Sequence, residues 1–162
     1  METGIDIFEA DLDNADHQQA IIDMTAAYAL DPMGNSGPLP DDVLARLIPG
    51  LKSLPTSLVF LAYAGDRPVG IATCFRGFSS FMGQPLINIH DLALLPEFRG
   101  RGIGPRLLQA VERKARELGC GKVTLEVQEQ NARARQTYEK AGFSQAMYGA
   151  TGGALFYTKV LL

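Results

Sequence analysis

The stretch LLPEFRGRGIGPRLLQAVERKA, residues 94–115, decides the predicted fold, because a strand, a tight turn and a helix meet within it. An apolar run typical of a strand leads into it, and from Ile103 onward its apolar residues recur at helical spacing. Unpaired N–H groups at a helix N-terminus carry partial positive charge, and glycines let the backbone wrap closely around an anion. The turn therefore predicts a phosphate site, although a purely structural turn needs such glycines too. Its three glycines are Gly100, Gly102 and Gly104, and its three arginines are Arg99, Arg101 and Arg106.

The pattern on either side of this stretch predicts alternating groups of helices and strands. Two helices come first, at about 16–30 and from Pro40 to about 51, and the period then changes to that of strands. This order predicts an α/β layout with helices packed on a mixed sheet. The later predicted elements are strands 57–64, 69–78 and 85–95, a helix 103–118, a strand 122–127, a helix 131–141 and final strands at about 143–149 and 154–161.

Size and composition predict one domain spanning residues 1–162. With 162 residues, 46% of them hydrophobic, the chain has enough apolar material for a single core. The N-terminus lacks the positive and apolar regions of a signal peptide, and no uncharged apolar run approaches the roughly 18 residues of a membrane span. We therefore expect a cytoplasmic protein with no membrane partner. Cys74 and Cys120 are too few for a disulfide framework and too far apart in sequence for a metal-ligand pair, so no metal is expected.

The charge of the chain changes sign at the glycine turn. Residues 1–98 carry 4 Lys and Arg against 13 Asp and Glu, a net charge of −9, whereas residues 99–162 carry 11 against 5, a net charge of +6. A basic half suits a polyanionic ligand and an acidic half suits a cationic one, although solvated surfaces distributed by chance give the same numbers. The two parts sum to a net charge of −3. No nucleic-acid partner is expected.

Two signatures, in the correct order and spacing, carry a resemblance to a known family. The first, Gln/Arg-x-x-Gly-x-Gly/Ala, matches Arg99, Gly102 and Gly104. The second, Asn followed seven residues later by Tyr and then by Gly-Phe, matches Asn131 and Tyr138. On these residues the sequence resembles the GNAT acetyltransferase superfamily.

The resemblance covers about 85–145 with specific motifs and the whole chain more loosely. It implies a single GNAT domain with a mixed, mostly antiparallel sheet of six to seven strands, splayed in the middle and flanked by about four helices. A Rossmann dinucleotide-binding fold is disfavoured, because the first glycine does not directly follow the strand and only about sixty residues remain for the rest of a doubly wound sheet.

In the family, the bound anion is the pyrophosphate of acetyl-coenzyme A, which would act as the cosubstrate. The resemblance implies that backbone groups of Leu92, Ala93 and Leu94 pair with the pantetheine arm as though it were an added strand. One departure from the family is Pro105, which lacks the N–H that a small residue would offer there. The implied cofactor-binding residues are completed by Arg99, Gly100, Arg101, Gly102, Ile103, Gly104, Asn131 and Tyr138.

His90 and Asp91 are the titratable side chains of the strand beside the expected thioester. Alternation predicts that they point to opposite faces, unless a bulge near Leu92 changes the count. His90 falls where amine-acetylating members, notably those resembling spermidine/spermine acetyltransferases, carry a glutamate taken as the base. An imidazole is able to accept a proton near neutrality, and a half-buried structural histidine is the alternative.

Tyr138 is the candidate general acid. The family motif has a tyrosine here that donates a proton to the sulfur of the coenzyme. A tyrosine that only packs in the core would lie on the same face of the predicted helix.

The resemblance places the acceptor pocket in the acidic half of the chain. Such a pocket suits a small cationic amine with an apolar body, although the acidic residues expected for polyamine specificity are mostly absent. The leading hypothesis is a bacterial-type, homodimeric acetyltransferase for a small-molecule amine. The alternatives are a protein or peptide N-acetyltransferase and a non-catalytic coenzyme A binding module. The candidate acceptor residues are Tyr28, Asp31, Phe78, Phe81 and Asp91.

Overall fold

The computed structural model describes residues 4–148, 152–153, 155 and 157–161, and the chain divides into two compact units, Met1–Gln128 and Glu129–Leu162. The first unit contains, in chain order, β1 (Ile5–Glu9), α1 (Ala15–Ala29), α2 (Asp41–Ser53), β2 (Ser57–Ala64), β3 (Arg67–Ser79), β4 (Gln84–Leu94), a short 3₁₀ helix (Pro96–Phe98), α3 (Ile103–Glu117) and β5 (Lys122–Leu125). Its five strands form one sheet in the order β1-β2-β3-β4-β5. Neighbouring strands run antiparallel, except that β4 and β5 are parallel.

The two faces of this sheet are covered by different helices. Alternate residues of β2, β3 and β4 pack beneath α1 and α2, whereas α3 covers the other face. Gly70 lies under α3, where a Cβ would come within 2.6 Å of the Leu94 side chain and 3.2 Å of Leu107. A larger residue at this position would force the side chains of Leu94 and Leu107 to shift, so the packing of α3 on the sheet favours glycine there. The buried residues beneath α1 and α2 are Ala20, Ile21, Met24, Ile48, Leu51, Val59, Leu61, Ile71 and Ala93.

The second unit contains α4 (Ala132–Lys140) and a separate antiparallel pair of short strands, β6 (Met147–Tyr148) and β7 (Gly152–Gly153). Asn131 begins α4, and its side-chain oxygen accepts a hydrogen bond from the N–H of Ala134 at 3.2 Å. Gly142 follows the helix with a φ of 93°, a left-handed conformation that suits glycine. The buried ring of Tyr138 meets Phe143 edge-on, with 6.1 Å between ring centroids.

The predicted fold class is confirmed: a mixed, mostly antiparallel sheet is accompanied by four α-helices in the part of the chain that the structure describes. The strand count is corrected, because five strands form the main sheet and β6 pairs with β7. β1 is an addition that the sequence pattern did not predict. Of the two predicted final strands, 143–149 and 154–161, residues 147–148 form β6, whereas residues 143–146, 155 and 157–161 form no strand. Residues 149, 154 and 156 lie outside the described residues. That residues 1–162 act as one domain stays a prediction.

A helix must be both long and apolar to span a bilayer. Across the described ranges, none is both long enough and apolar enough to cross a membrane.

Candidate functional site

β4 changes its neighbours halfway along its length. Residues 86–89 pair with β3 on one side and, in parallel, with residues 122–125 of β5 on the other. Beyond Ile89 the ladder to β3 continues as far as Leu94, whereas no strand among the described residues pairs with β4 on the β5 side. Some main-chain N–H and C=O groups of residues 90–94 therefore face an open edge. The predicted cofactor residues Leu92, Ala93 and Leu94 lie on this edge.

A β-bulge marks the point where β4 loses its second neighbour. The ladder pairs Ile89 with Cys74 and Asp91 with Thr73, so two consecutive residues of β3 face three of β4. His90 is the extra residue and has no partner in the register. A bulge of this kind interrupts the alternation of side chains along its strand.

The bulge brings His90 and Asp91 to the same face of the sheet. Asp91 shares the face of its partner Thr73, and alternation along β3 puts Thr73 with Ile71, which belongs to the core beneath α1 and α2. The His90 ring lies edge-on to Phe75, with 5.8 Å between centroids, and Phe75 packs against the same core. The predicted placement on opposite faces is therefore wrong, because the extra residue at His90 resets the count.

Asp91 interacts electrostatically with Tyr28, a residue of the predicted acceptor region that also interacts with Asp31. Burial raises the pKa of Asp91, and the nearby His90 lowers it in part. The pKa of Tyr28 is raised by burial first and then by the charges of Asp91 and Asp31. Burial, with a smaller contribution from Asp91, also raises the pKa of Cys74 to about 12, so this buried thiol is unreactive near neutral pH. The charges of Asp31 and Asp91 thus both act on the hydroxyl of Tyr28.

Hydrogen bonds to its main chain hold the loop after α1, which contains Asp31, in place. The carbonyl of Met33 accepts hydrogen bonds from the Tyr28 hydroxyl at 3.3 Å and from the Gln128 side-chain amide at 3.1 Å. Asp31 accepts one from the N–H of Met33 at 2.8 Å. At Gly34 a Cβ would lie 2.2 Å from the Tyr28 carbonyl oxygen, so the loop needs glycine at this position. The loop is thereby tied to the segment that follows β5.

The glycine turn has the backbone geometry of an anion site. Gly100 and Gly102 have φ values of 75° and 78°, in the left-handed region. Gly102 caps α3 without a side-chain hydrogen bond, and the first turn of the helix contains no acidic residue. The N–H groups of Ile103 and Gly104 belong to that first turn, while Pro105 has none. Left-handed glycines before a helix N-terminus form a concavity of donors that suits a phosphate.

The three arginines of the turn contact other parts of the protein. Arg99 donates a hydrogen bond to the carboxylate of Asp31. The guanidinium of Arg101 stacks over the ring of Phe98, 5.0 Å from its centroid. Arg106 donates to a main-chain carbonyl of β1 at 2.9 Å. That Arg99 and Arg101 bind phosphate stays a prediction, and each would have to leave a partner to do so.

Phe78 and Phe81 lie far from the other predicted acceptor residues. They belong to the tip of the β3–β4 hairpin and are 67% and 96% exposed. Phe78 is five residues along β3 from Thr73, the partner of Asp91, a distance of about 17 Å at ~3.3 Å per strand residue. The structure therefore does not bring these two rings to Asp91, and their part in acceptor binding stays a prediction.

Sequence reasoning missed three residues that shape the site. Met33 acts through its carbonyl, and its donor Gln128 lies 95 residues away in the sequence. Phe75 meets His90 only because of the register of the bulge. No local signal in the sequence points to these contacts. The predicted residues Asn131 and Tyr138 belong to the second unit.

Comparisons with known proteins identify what the chain is similar to. The model of the acetyltransferase (GNAT) family matches residues 23–143. Uncharacterized N-acetyltransferase YhfO of Bacillus subtilis (strain 168) is 29% identical over 89 residues, which are 55% of this chain and 60% of that protein. Thialysine N-epsilon-acetyltransferase of Bos taurus is 32% identical over 78 residues, 48% of this chain and 45% of that protein. The matched stretches span less than two thirds of the length of these curated relatives.

The fold is also shared with a solved structure. AAC(6')-Iy in complex with the bisubstrate analog CoA-S-monomethyl-acetylneamine superposes with a TM-score of 0.74 over 98% of this chain and 99% of that chain. The sequence identity is 21%, so the likeness is one of fold.

Proposed function

Because the chain belongs to the acetyltransferase (GNAT) family, we propose that it moves the acetyl group of acetyl-coenzyme A directly to a primary amine of a small molecule. The observation that carries this proposal is the second half of β4, which has an open edge among the described residues and runs into the glycine turn. An open strand edge followed by a concavity of N–H donors fits a ligand with an extended amide-bearing arm and a diphosphate. Coenzyme A has both.

Main-chain groups of β4 and of the glycine turn form much of the proposed cofactor site. Acetyl-coenzyme A, when bound, supplies an acetyl group activated as a thioester. Leu92, Ala93 and Leu94 offer N–H and C=O groups to the pantetheine arm, and one of these N–H groups holds the thioester oxygen. The fit is supported at Gly100 and Gly102, where the space that a Cβ would occupy is open. The residues that would hold the diphosphate are those of the turn, Arg99, Gly100, Arg101, Gly102, Ile103 and Gly104.

The acceptor amine must lose a proton before it attacks. An alkyl amine with an ordinary pKa of ~10.4 is neutral in about one molecule in ~2,500 at pH 7, which corresponds to roughly 4.6 kcal/mol. We assign the proton acceptor to the imidazole of His90 and the binding of the ammonium group to the carboxylate of Asp91. The shared face of these two side chains supports the assignment. Tyr28 and Asp31 complete the acceptor side.

Tyr138 is proposed as the acid that gives its hydroxyl proton to the departing thiolate. The support is the second sequence signature, in which Tyr138 follows Asn131 by seven residues. Asn131 is proposed to contribute to cofactor binding as well as to cap α4. Both assignments rest on the signature.

The acceptor is proposed to be a small cationic amine. One relative is named for thialysine, and one solved neighbour holds an analog that joins CoA to acetylneamine. Asp31 and Asp91 give the acceptor side of this chain the negative charge that a cationic amine requires. A cytoplasmic location and a homodimer belong to the same proposal, and light scattering of the purified protein checks the dimer.

A screen of acceptors tests the proposed reaction. Diamines, amino acids, aminoglycosides and peptides are each incubated with the protein and acetyl-CoA while free thiol is followed. We expect thiol release with small amines. Release with peptides alone identifies a peptide N-acetyltransferase, and binding of CoA without turnover on any acceptor identifies a binding module.

Two variants test the assigned proton transfers. Tyr138→Phe is expected to lower kcat by about 10²–10⁴-fold while the Kd for CoA stays constant, because only the acid is removed. An unchanged kcat contradicts this role. His90→Ala is expected to recover activity as the pH rises, since the fraction of neutral amine then increases. A pH profile identical to that of the wild type would exclude His90 as the base.

A further inference from the structure

One ion pair joins the cofactor side and the acceptor side of the proposed site. Arg99 stands in the glycine turn, directly before Gly100, and Asp31 lies 68 residues away in the loop after α1. Their side chains are 25% and 14% exposed. Among the ion pairs of the described residues, no other has so little exposure on both members. Through two partly buried charges, the contact therefore links the glycine turn, which suits an anion, to the loop after α1, which suits a cation.

The two members of the pair are suited to different ligands. A guanidinium in a turn of N–H donors matches a diphosphate, which presents several oxygens to its fork of donors. The carboxylate of Asp31, a residue whose main-chain N–H donates a hydrogen bond to the Tyr28 carbonyl at 3.0 Å, matches an ammonium group. While Arg99 and Asp31 are paired, the guanidinium competes with an ammonium group for Asp31, and the carboxylate competes with a diphosphate for Arg99.

On this basis, which rests on the proposed function, we propose that Arg99 exchanges Asp31 for the diphosphate of coenzyme A, and that the exchange makes Asp31 a ligand for the acceptor ammonium. Binding of the cofactor thus prepares the acceptor side. Because coupling between two binding sites is reciprocal, an amine on Asp31 also favours binding of the cofactor.

The other two arginines of the turn have contacts of a different kind. Arg101 stacks on Phe98, and Arg106 donates to a main-chain carbonyl. Neither contact ties up a carboxylate of the acceptor loop. Arg99 is thus the arginine of the turn whose movement changes the acceptor side.

Calorimetry with coenzyme A tests the exchange. Asp31→Asn removes the competing carboxylate, so the Kd for CoA is expected to fall by roughly 5–150-fold, the usual range of coupling between sites. The Kd for pantetheine, which has no diphosphate, is expected to stay constant. In an Arg99→Gln background, Asp31→Asn is expected to have no effect on the Kd for CoA. Unchanged or weaker CoA binding by Asp31→Asn, or equal tightening in the Arg99→Gln background, overturns the proposal.

A matched variant separates the exchange from a general effect of charge. Glu97→Gln removes a negative charge close to the same turn, where Glu97 pairs with Arg67 at 2.6 Å and is exposed. This variant is expected to bind CoA as the wild type does. Tightening equal to that of Asp31→Asn shows a general electrostatic effect and refutes the exchange.

A measurement on the wild type covers the case in which Asp31→Asn does not fold. The Nε–H signal of Arg99 in an NMR spectrum is expected to shift on addition of CoA and to stay in place on addition of pantetheine. A signal that does not move with saturating CoA refutes the exchange alone. If the wild type does not bind CoA at all, the proposed function fails with it, so the two failures are distinguishable.

Discussion

The two halves of β4 differ in their surroundings although they form one strand. Residues 86–89 have a strand on each side, and Ile87 and Ile89 are buried. Residues 90–94 have a strand partner on the β3 side, begin with the bulge, and include the half-buried Asp91. One extra residue thus separates a part of the strand that pairs on both sides from a part that leaves main-chain polar groups on an open edge.

The same division appears in the energetics of the two halves. Apolar side chains in the first half gain free energy from burial, about 1.5–3 kcal/mol for a fully buried isoleucine. In the second half, burial raises the pKa of Asp91, which means that its charged form is destabilised in the folded protein. Our proposal gives Asp91 a part in acceptor binding, and functional groups are commonly retained at a cost in stability.

The largest effect on stability is expected for Ile87→Ala in the first half. Ile87 is 0% exposed, so truncation leaves a cavity in the sheet and lowers the free energy of unfolding by about 2–5 kcal/mol. Urea denaturation measures this loss. The Kd of the folded variant for CoA is expected to stay close to that of the wild type.

Leu92→Ala is the matched control for this prediction. Leu92 lies in the second half of the same strand and is partly exposed, so its truncation is expected to destabilise the protein less. If both variants lose the same stability, the two halves do not differ in the way we describe.

Hydrogen exchange is expected to show an effect of intermediate size. Main-chain N–H groups at the open edge of residues 90–94 gain partners when CoA binds, so their exchange is expected to slow by about tenfold or more, equivalent to about 1.4 kcal/mol. Residues 86–89 already pair on both sides and are expected to change little. Mass spectrometry of peptides from each half measures the difference. Equal slowing in both halves points to a global stabilisation and contradicts pairing at the open edge.

The sequence predicted those parts of the molecule whose signals are local. The apolar stripe of α3, the glycines before it and the cap at Asn131 depend on residues within a few positions of each other, and all three were predicted. β1 was missed because five residues carry too little periodicity, and its partner strand is about fifty residues away. The sequence pattern therefore predicts elements with local signals but not the contacts between segments that lie far apart in the sequence.

The site shows the same limit. An extra residue in β4 has meaning only against the register of β3, so the bulge at His90 and the shared face of His90 and Asp91 were not predictable by counting along one strand. The pairing of Arg99 with Asp31 joins two segments that were each predicted as ligand sites. The chemistry of each side chain predicted the kind of ligand that it suits. Nothing in the sequence predicted that the two side chains contact each other.

The smallest expected effect on stability is that of Asp91→Asn in the second half. Burial raises the pKa of Asp91 above its ordinary 3.8, so the folded state binds more protons than the unfolded chain between pH 3.8 and the raised value. The stability that Asp91 contributes therefore falls as the pH rises through this window. Asp91→Asn lacks this fall, so it is expected to be more stable than the wild type at pH 7 and equal to it below pH 3.8. Urea denaturation at several pH values measures the difference.

Asp6→Asn is the control for a general loss of negative charge. Asp6 is exposed on β1, so Asp6→Asn removes one negative charge from the surface and is expected not to reproduce the gain in stability of Asp91→Asn at pH 7. Asp91→Asn is also expected to raise the KM for the acceptor amine, because it removes the carboxylate that we propose holds the ammonium group. A variant that is more stable at pH 7 but acetylates the amine with an unchanged KM shows that the buried charge at Asp91 has a role other than acceptor binding. If Asp91→Asn is less stable than the wild type at pH 7, the charge of Asp91 does not destabilise the folded protein. The contrast between the two halves of β4 then rests on strand pairing alone.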